Sequence, residues 1–440
     1  MRILICERAL GRNRSCSKRG PLSWIVKRFC RSTRPPLLCK SFGVKGRLVL
    51  FDSRRNMHSS TLSPTIACLI LLTGSVHAGE REALYKTKYR VIDVHVHCTP
   101  VTAAAVRAQL EVLDRVGVTS FVILDAGGPA GNLKDWLNLR REAPRRLNVF
   151  WKLDFTRVKD RTFFQDIVRD LEKAARMGVQ GVKVWKDLGM YVRDDSGELL
   201  KADDRRLDPF WAKCGELGLP VLIHTADERE YWYPLTYNSI HFGLRTEKDQ
   251  HYGNPRMPAW EELIRQRDAV LKKHPKTNFI GAHMGSQSHD LRQLEETFAK
   301  YPNFYVDTSA RHRVFGRLNP PAVRAFFQKS QDRVVFGTDG QVLLKGRKQP
   351  FDVTLYPTAN PNMVYVDPSD AAALKTWQDR AAQMYSQSLQ YFETDRLDLE
   401  DPLRSGGSWL RMAGAKLPAE VLEKFYHANA EKLIAGQQKH

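Results

Sequence analysis

The chain has 440 residues and a formal net charge of +20, from 69 Lys+Arg against 49 Asp+Glu. At 42% hydrophobic, 10% aromatic and 27% charged it is globular in composition, which excludes collagen-like, disordered and polytopic membrane classes. The charge total invites a nucleic-acid partner, and its distribution argues against one: residues 1–56 hold 15 Lys+Arg and two acids (Glu7, Asp52), leaving residues 80–440 with 54 basic and 47 acidic groups, or +7.

Residues 57–79 hold no Lys, Arg, Asp or Glu. Their core, Ile66–Leu72, is continuously apolar but far shorter than the roughly 20 residues of a membrane span. Val76-His77-Ala78 places a small residue just before a cut. Residues 57–78 therefore read as a secretory signal peptide cleaved after Ala78. Residues 1–56 show no apolar periodicity and read as a basic leader outside the working protein. Their richness in Arg and Ser also fits an organellar transit peptide, and a third reading makes them the long prelude to an uncleaved membrane anchor. The working domain is then 79–440, exported and free of the membrane in its mature form. Of seven cysteines only Cys98 and Cys214 fall in it, which argues against a disulfide framework.

From Tyr89 onward, short apolar runs alternate with longer amphipathic stretches. The predicted strands are Arg90–His97, Thr119–Leu124, Asn148–Asp154, Gly181–Trp185, Leu219–His224, Asn278–His283, Phe304–Thr308 and Arg333–Thr338. They are rich in Val, Ile and Phe and short enough for buried parallel strands. Helical spacing appears in Val106–Val116, in Phe163–Met177 with Gly178 as its stop, and in Trp260–Leu271, Leu291–Tyr301 and Pro321–Phe327. Eight strands with intervening helices in about 250 residues predict an α/β fold, a (β/α)8 TIM barrel. A doubly wound sheet is the competing architecture. Two stretches exceed the minimal unit. Asp227–Ala259, after strand five, carries Tyr231, Trp232, Tyr233, Tyr237, Phe242 and Tyr252 and reads as an aromatic lid or a packed loop. Gly340–Pro418, after strand eight, is an extended segment expected over the barrel mouth, with a helix at Ala371–Phe392 before the last helix, Ala419–Ala435.

His95 and His97 lie two apart in strand one, so both side chains share a face, with Asp93 on that face too and Val94 and Val96 on the other. Strands five, six and eight end in His224, His283 and Asp339. In a barrel those ends converge on one mouth, where active sites form. Unpaired polar groups buried there would cost roughly 1–3 kcal/mol each, a cost that a metal offsets.

The H-x-H, the two strand-end histidines and the strand-eight aspartate, in the phrases IDVHVH, GAHMGS, FYVDTS, VVFGTDG and FYHANAEKLI, resemble the metal-dependent amidohydrolase superfamily. More narrowly they look like its amidohydrolase-related family, which includes the aminocarboxymuconate-semialdehyde decarboxylase type. The resemblance spans roughly residues 88–436. It implies a divalent metal, zinc by expectation, held by His95, His97, His224 and Asp339. Zinc acidifies a water and polarises a substrate oxygen. Asp339 would take the proton of the attacking water, and His283 would stabilise a developing oxyanion or shuttle a proton. Some superfamily members bind two metals through a carbamylated lysine on strand four. Lys183 or Lys186 is placed for that role, although the related family points to one ion.

Arg311 and Arg313 follow strand seven as a possible clamp for a substrate carboxylate, flanking His312. Trp232, Tyr233, His241 and His251 are loop candidates for substrate contact. Asp93 reads as a hydrogen-bonding residue of the barrel floor, Asp307 as a turn cap and Cys98 as a packing residue. The leading function is metal-dependent hydrolysis of a small ester, lactone or amide through a metal-activated water, with an anionic substrate suited to the chain's basic bias. The alternatives are non-oxidative decarboxylation of an aromatic or unsaturated carboxylic acid, and a non-catalytic metal or solute binder. No nucleic-acid partner is expected, and a homo-oligomer is possible.

Overall fold

The structure is a computed structural model, described over residues 83–99, 101–128, 131–237, 239, 251–343, 370–402 and 411–434. The basic leader and the signal peptide lie outside the described residues. Parallel strands follow one another round a barrel: β1 (Ile92–Thr99), β2 (Ser120–Gly127), β3 (Leu147–Lys152), β4 (Gly181–Val184), β5 (Val221–Ile223), β6 (Phe279–Gly281) and β7 (Phe304–Asp307). The eighth strand is split. Its first half, β8 (Val334–Val335), pairs with β7, and its second half, β9 (Gly340–Leu343), pairs with β1. Backbone bonds from Val94 N to Phe336 O and from Asp339 N to His95 O, both 3.0 Å, stitch the break to β1. The (β/α)8 expectation therefore holds, and the doubly wound alternative does not.

The helices α1 (Ala103–Val116), α2 (Leu133–Glu142), α3 (Phe163–Met177), α4 (Asp208–Glu216), α5 (Trp260–Lys273), α6 (Leu291–Lys300) and α7 (Pro320–Lys329) intervene between strands. Their ends follow local chemistry. Thr102 accepts the Ala105 amide at the start of α1, and Gly178, at φ 94°, supplies the left-handed residue that ends α3. α2 and α4 were not legible as helices, since their apolar faces are short.

Two apolar layers result. Ile92, Val94, Val122, Leu124, Phe150, Leu222, Ile280, Tyr305 and Val335, drawn from seven strands, fill the barrel. Val96, Phe121, Ile123, Val149, Val182 and Val221 belong instead to the layer shared with the surrounding helices. This partition corrects the alternation expected for β1. Val94 is an interior residue, and Asp93 bonds outward to Tyr385. The cause is a β-bulge: the β1–β2 register slips between Asp93 and Val96. Beyond it, His95 and His97 share one side as expected, and Cys98 is buried in the helix-facing layer.

The expected long helix is α8 (Ala371–Glu393), capped by Asp370 on the amides of Ala372 and Ala373. It lies on the flank, against α1, through Gln109–Tyr385, Gln378–Glu111 and Arg115–Asp379 contacts. Its Tyr391 and Phe392 join Phe315, Phe327, Phe336 and Phe425 in an aromatic cluster outside the barrel. The described part of this segment thus packs on α1 and on the aromatic cluster, and its Asp401 pairs with Arg313 in the loop after β7. Residues 344–369 lie outside the described residues. No helix among the described residues is long and apolar enough to cross a membrane.

Candidate active site

His95 and His97 bring their Nε2 atoms within 3.3 Å of each other. Asp339 Oδ1 lies 3.6 Å from the first and 3.5 Å from the second. His283 joins from β6, offering a donor atom within 4.8 Å of ligating atoms of His95 and Asp339. Its ring centroid is 4.9 Å from that of His95 and 4.5 Å from that of His224. The five residues singled out from strand ends therefore converge at one mouth.

The backbone is bent to bring them there. His283 and Asp339 both adopt left-handed conformations, at φ 57° and 61°, as do Met284 and Ser286. Such conformations are uncommon for residues other than glycine and persist where surrounding contacts over-determine them. Here Arg267 from α5, fully buried, donates to Gly285 O (2.6 Å) and to Gln287 Oε1 (2.8 Å), pinning the turn after His283.

Carboxylates behind the histidines set their tautomers. His95 Nδ1 donates to Asp307 Oδ2 (2.8 Å), and His97 Nδ1 donates to Asp125 Oδ2 (3.0 Å). A proton held on Nδ1 leaves a lone pair on Nε2, so two lone pairs meet head-on beside the Asp339 carboxylate. Burial opposes ionisation of Asp307 and Asp125, but the neighbouring imidazoles outweigh it. Asp307 is held far below the usual carboxylate range, and Asp125 is drawn down to about 2. Asp339 is likewise held below its ordinary value: burial opposes this, and His283, His95, His97 and Lys183 prevail. Burial pushes His95 below the ordinary imidazole value.

His283 is neutral, pushed down to about 3 by burial and then by Arg311. Its Nδ1 donates to Ser309 O (2.9 Å), which leaves Nε2 as an acceptor. An oxyanion-stabilising donor is thus not what this tautomer offers; a hydrogen-bond acceptor is. His224 is pushed well below its ordinary value, first by burial and then by His283, Lys186 and Lys183, and its Nε2 is buried with no protein partner.

Converging lone pairs, an ionised carboxylate and an orphaned buried imidazole nitrogen fit a divalent cation better than any arrangement of protein hydrogen bonds. Among the described residues, His95, His283 and Asp339 each offer a ligand atom within 4.8 Å of the others, His97 Nε2 joins His95 and Asp339 at 3.3–3.5 Å, and His224 stands behind His283.

The strand-four lysines part company. Lys183 is buried, its Nζ has no hydrogen-bond partner, and it feels the charges of Asp307, Asp339 and Asp125. Burial nonetheless lowers it to about 8. Lys186 is committed elsewhere, 2.5 Å from Asp227 Oδ1, and Asp227 Oδ2 accepts from His251 Nε2 (2.8 Å). Arg311 is buried 2.8 Å from Glu228, with its Nε unpartnered. Arg313 is spent in a buried ion pair with Asp401, which accounts for its presence without a ligand. Trp232 packs on His251 at 4.5 Å and donates to Pro258 O, while Tyr233 is half exposed beside Arg229. His241 lies outside the described residues.

Asp125, Ser309 and Asp227 did not stand out in the sequence. Asp125 had a usable signal, because it directly follows the predicted strand Thr119–Leu124. Asp307 is more than a turn cap: it also accepts from the His283 amide (2.8 Å) and the Ser309 amide (3.1 Å).

No curated protein matches the chain. Its fold is similar to several solved structures at low identity. One is a probable 2-pyrone-4,6-dicarboxylic acid hydrolase from Acinetobacter baumannii with citric acid bound (13% identity, 78% of this chain and 99% of that one, TM-score 0.39). A second is the 5-carboxyvanillate decarboxylase of Novosphingobium aromaticivorans complexed with manganese and a nitrobenzoic acid (14%, 80% and 98%, TM-score 0.41). A third is the apo IDCase of Metarhizium anisopliae (14%, 80% and 99%, TM-score 0.40). The amidohydrolase family profile matches residues 92–435, from the first residue of β1 past the last described helix. A match of that extent makes the chain an enzyme of the amidohydrolase family.

Proposed function

We propose that the chain hydrolyses a small organic ester, lactone or amide at a single divalent metal, zinc by preference, held by His95, His97, His224 and Asp339. The observation that carries this reading is the triangle of His95 Nε2, His97 Nε2 and Asp339 Oδ1, 3.3–3.6 Å on a side, with both Nδ1 protons already committed to carboxylates. A divalent ion bound there supplies Lewis-acid polarisation of a substrate oxygen and acidifies water.

The protein's own share is proton handling and substrate placement. Asp339, ionised at neutral pH, accepts the proton of the attacking water as the new carbon–oxygen bond forms. The same proton passes to the leaving oxygen or nitrogen as its bond to the acyl carbon breaks. His283 Nε2, neutral and unprotonated, accepts a hydrogen bond from the water and orients it. Lys183 Nζ and Arg311 Nε, two buried cationic donors without protein acceptors, suit an anionic group on the substrate. Lys186, paired with Asp227, leaves Lys183 as the lysine a second metal would use; one ion per chain is the proposal.

The test is metal analysis of the protein beside His97→Ala and Asp339→Ala variants. One tightly held ion per wild-type chain and none in the variants is expected. Equal retention in all three defeats the reading, and two tight ions defeat the mononuclear form. The same two cations also favour a second reading, decarboxylation of a carboxylic acid. Release of carbon dioxide without uptake of water would select it. Residues 57–78 are proposed as a signal peptide, so the native N-terminus should be Gly79; a native terminus upstream of Met57 overturns the reading of residues 1–56 as a leader outside the working protein.

A further inference from the structure

Asp93 touches both sides of the candidate centre without facing it. Its Oδ1 accepts the amides of His95 (3.0 Å) and Thr338 (3.1 Å). Its Oδ2 accepts the hydroxyls of Thr338 (2.5 Å) and Tyr385 (2.6 Å). Thr338 Oγ1 in turn accepts the Gly340 amide (3.0 Å), so these bonds bracket Asp339 on both sides. Tyr385 is anchored from behind by Gln109 Nε2 (3.1 Å). Asp93, Thr338, Tyr385 and Gln109 are all buried.

Asp339 needs such bracing. It holds a left-handed backbone conformation, and its own amide donates to His95 O (3.0 Å). One carboxylate therefore sets the spacing between the strand that carries His95 and the break in strand eight that carries Asp339. The outermost member of the chain is on α8, a helix beyond the eight-unit barrel.

We propose that Tyr385 is a positioning residue for the metal-holding triangle, acting through Asp93 on His95 and Asp339. The proposal rests on reading His95, His97 and Asp339 as ligands. Loss of the tyrosine hydroxyl leaves Asp93 Oδ2 with one donor and frees the carboxylate to turn. Ligand sites tolerate displacements of only about 0.5 Å, so the triangle opens. Outer hydrogen-bond partners of ligands are typically worth about 10–100-fold in metal affinity.

Tyr385→Phe tests this, with Tyr426→Phe as the control. Tyr426 is an equally buried tyrosine whose hydroxyl donates to Glu393 Oε1 (3.1 Å). The full-length protein is stripped with a chelator and titrated with Zn2+ against a chromophoric competitor, and with Co2+ for its visible absorption. Tyr385→Phe should weaken Zn2+ by about tenfold or more and alter the Co2+ bands. Tyr426→Phe should leave affinity within about twofold of wild type even where its melting point falls as far. Should Tyr385→Phe fail to fold, Thr338→Val breaks the same link from the other end, and Thr338→Ser should restore it. Equal Zn2+ affinity in Tyr385→Phe and Tyr426→Phe, or in Thr338→Val and Thr338→Ser, overturns the proposal. A wild-type protein that binds Zn2+ no tighter than His97→Ala overturns the ligand reading instead.

Discussion

Replacement of His312 by Phe should flatten the loss of stability in acid. His312 begins the short helical turn His312–Phe315 and is buried against Tyr391 and Phe392, with ring centroids 5.7 and 5.3 Å away. Its Nε2 has no hydrogen-bond partner, and burial pushes its pKa down to about 3. In the unfolded chain the same imidazole titrates near 6.5. Because the folded value is depressed, the unfolded state binds the proton first, and folding loses stability as pH falls below about 6.5. At pH 4.5, two units below the unfolded value and still above the folded one, the loss from this group is about 3 kcal/mol, at about 1.4 kcal/mol per unit. The assay is urea unfolding of wild type and His312→Phe at pH 8 and pH 4.5. Phe overpacks the site slightly, but that cost is the same at both pH values and drops out of the difference. The variant should gain about 3 kcal/mol on wild type between the two conditions. Parallel pH profiles would mean that the imidazole is hydrated or finds an acceptor, and the reasoning from burial would fail.

Three further outcomes follow from the site. Asp307→Asn removes the carboxylate that keeps the proton on His95 Nδ1, and Zn2+ affinity measured by chelator competition should fall about 10–100-fold; an unchanged affinity denies Asp307 its tautomer-setting role. Gly337→Ala places a methyl 3.1 Å from His95 Cβ and 3.3 Å from Asp307 Cβ, so metal affinity should drop several-fold while unfolding free energy falls by no more than about 2 kcal/mol. A larger stability loss with intact affinity would show that the strain relaxes away from the site. Arg267→Lys cannot reach both Gly285 O and Gln287 Oε1, and should cost about 2–4 kcal/mol in urea unfolding; a neutral result would mean that the left-handed turn holds itself.

What could be read from the sequence was whatever repeats. Apolar runs ending in a ligand-type residue recur at His224, His283 and Asp339, and barrel topology brings such ends together regardless of the loops between them. The same rule, applied evenly, reaches Asp125, which directly follows the predicted strand Thr119–Leu124. Pairings that join distant segments had no such signature. Nothing near Asp307 announces His95, 212 residues earlier, and nothing near Asp227 announces both Lys186 and His251. Arg311 and Arg313 look alike in sequence, yet one keeps an unpartnered nitrogen beside His283 and the other is spent on Asp401. The two buried histidines pushed to about 3 make the same point: His283 lies beside His95, His224 and Asp339, and His312 lies among aromatic rings.

The alternation argument failed at one place, and the failure is instructive. Period-two logic put Asp93 on the barrel floor with His95 and His97. One extra residue in β1 breaks that logic, turns Val94 inward and hands Asp93 to Tyr385 on α8. Without the bulge, Asp93 would compete with Val94 for the apolar interior, where an unpaired carboxylate is costly. With it, the acid gains four donors and grips the backbone on both sides of the break in strand eight. The bulge thus trades regular pairing in one strand for rigid spacing between His95 and Asp339. The proposed role of Tyr385 depends on that spacing, because Tyr385 reaches His95 and Asp339 only through Asp93.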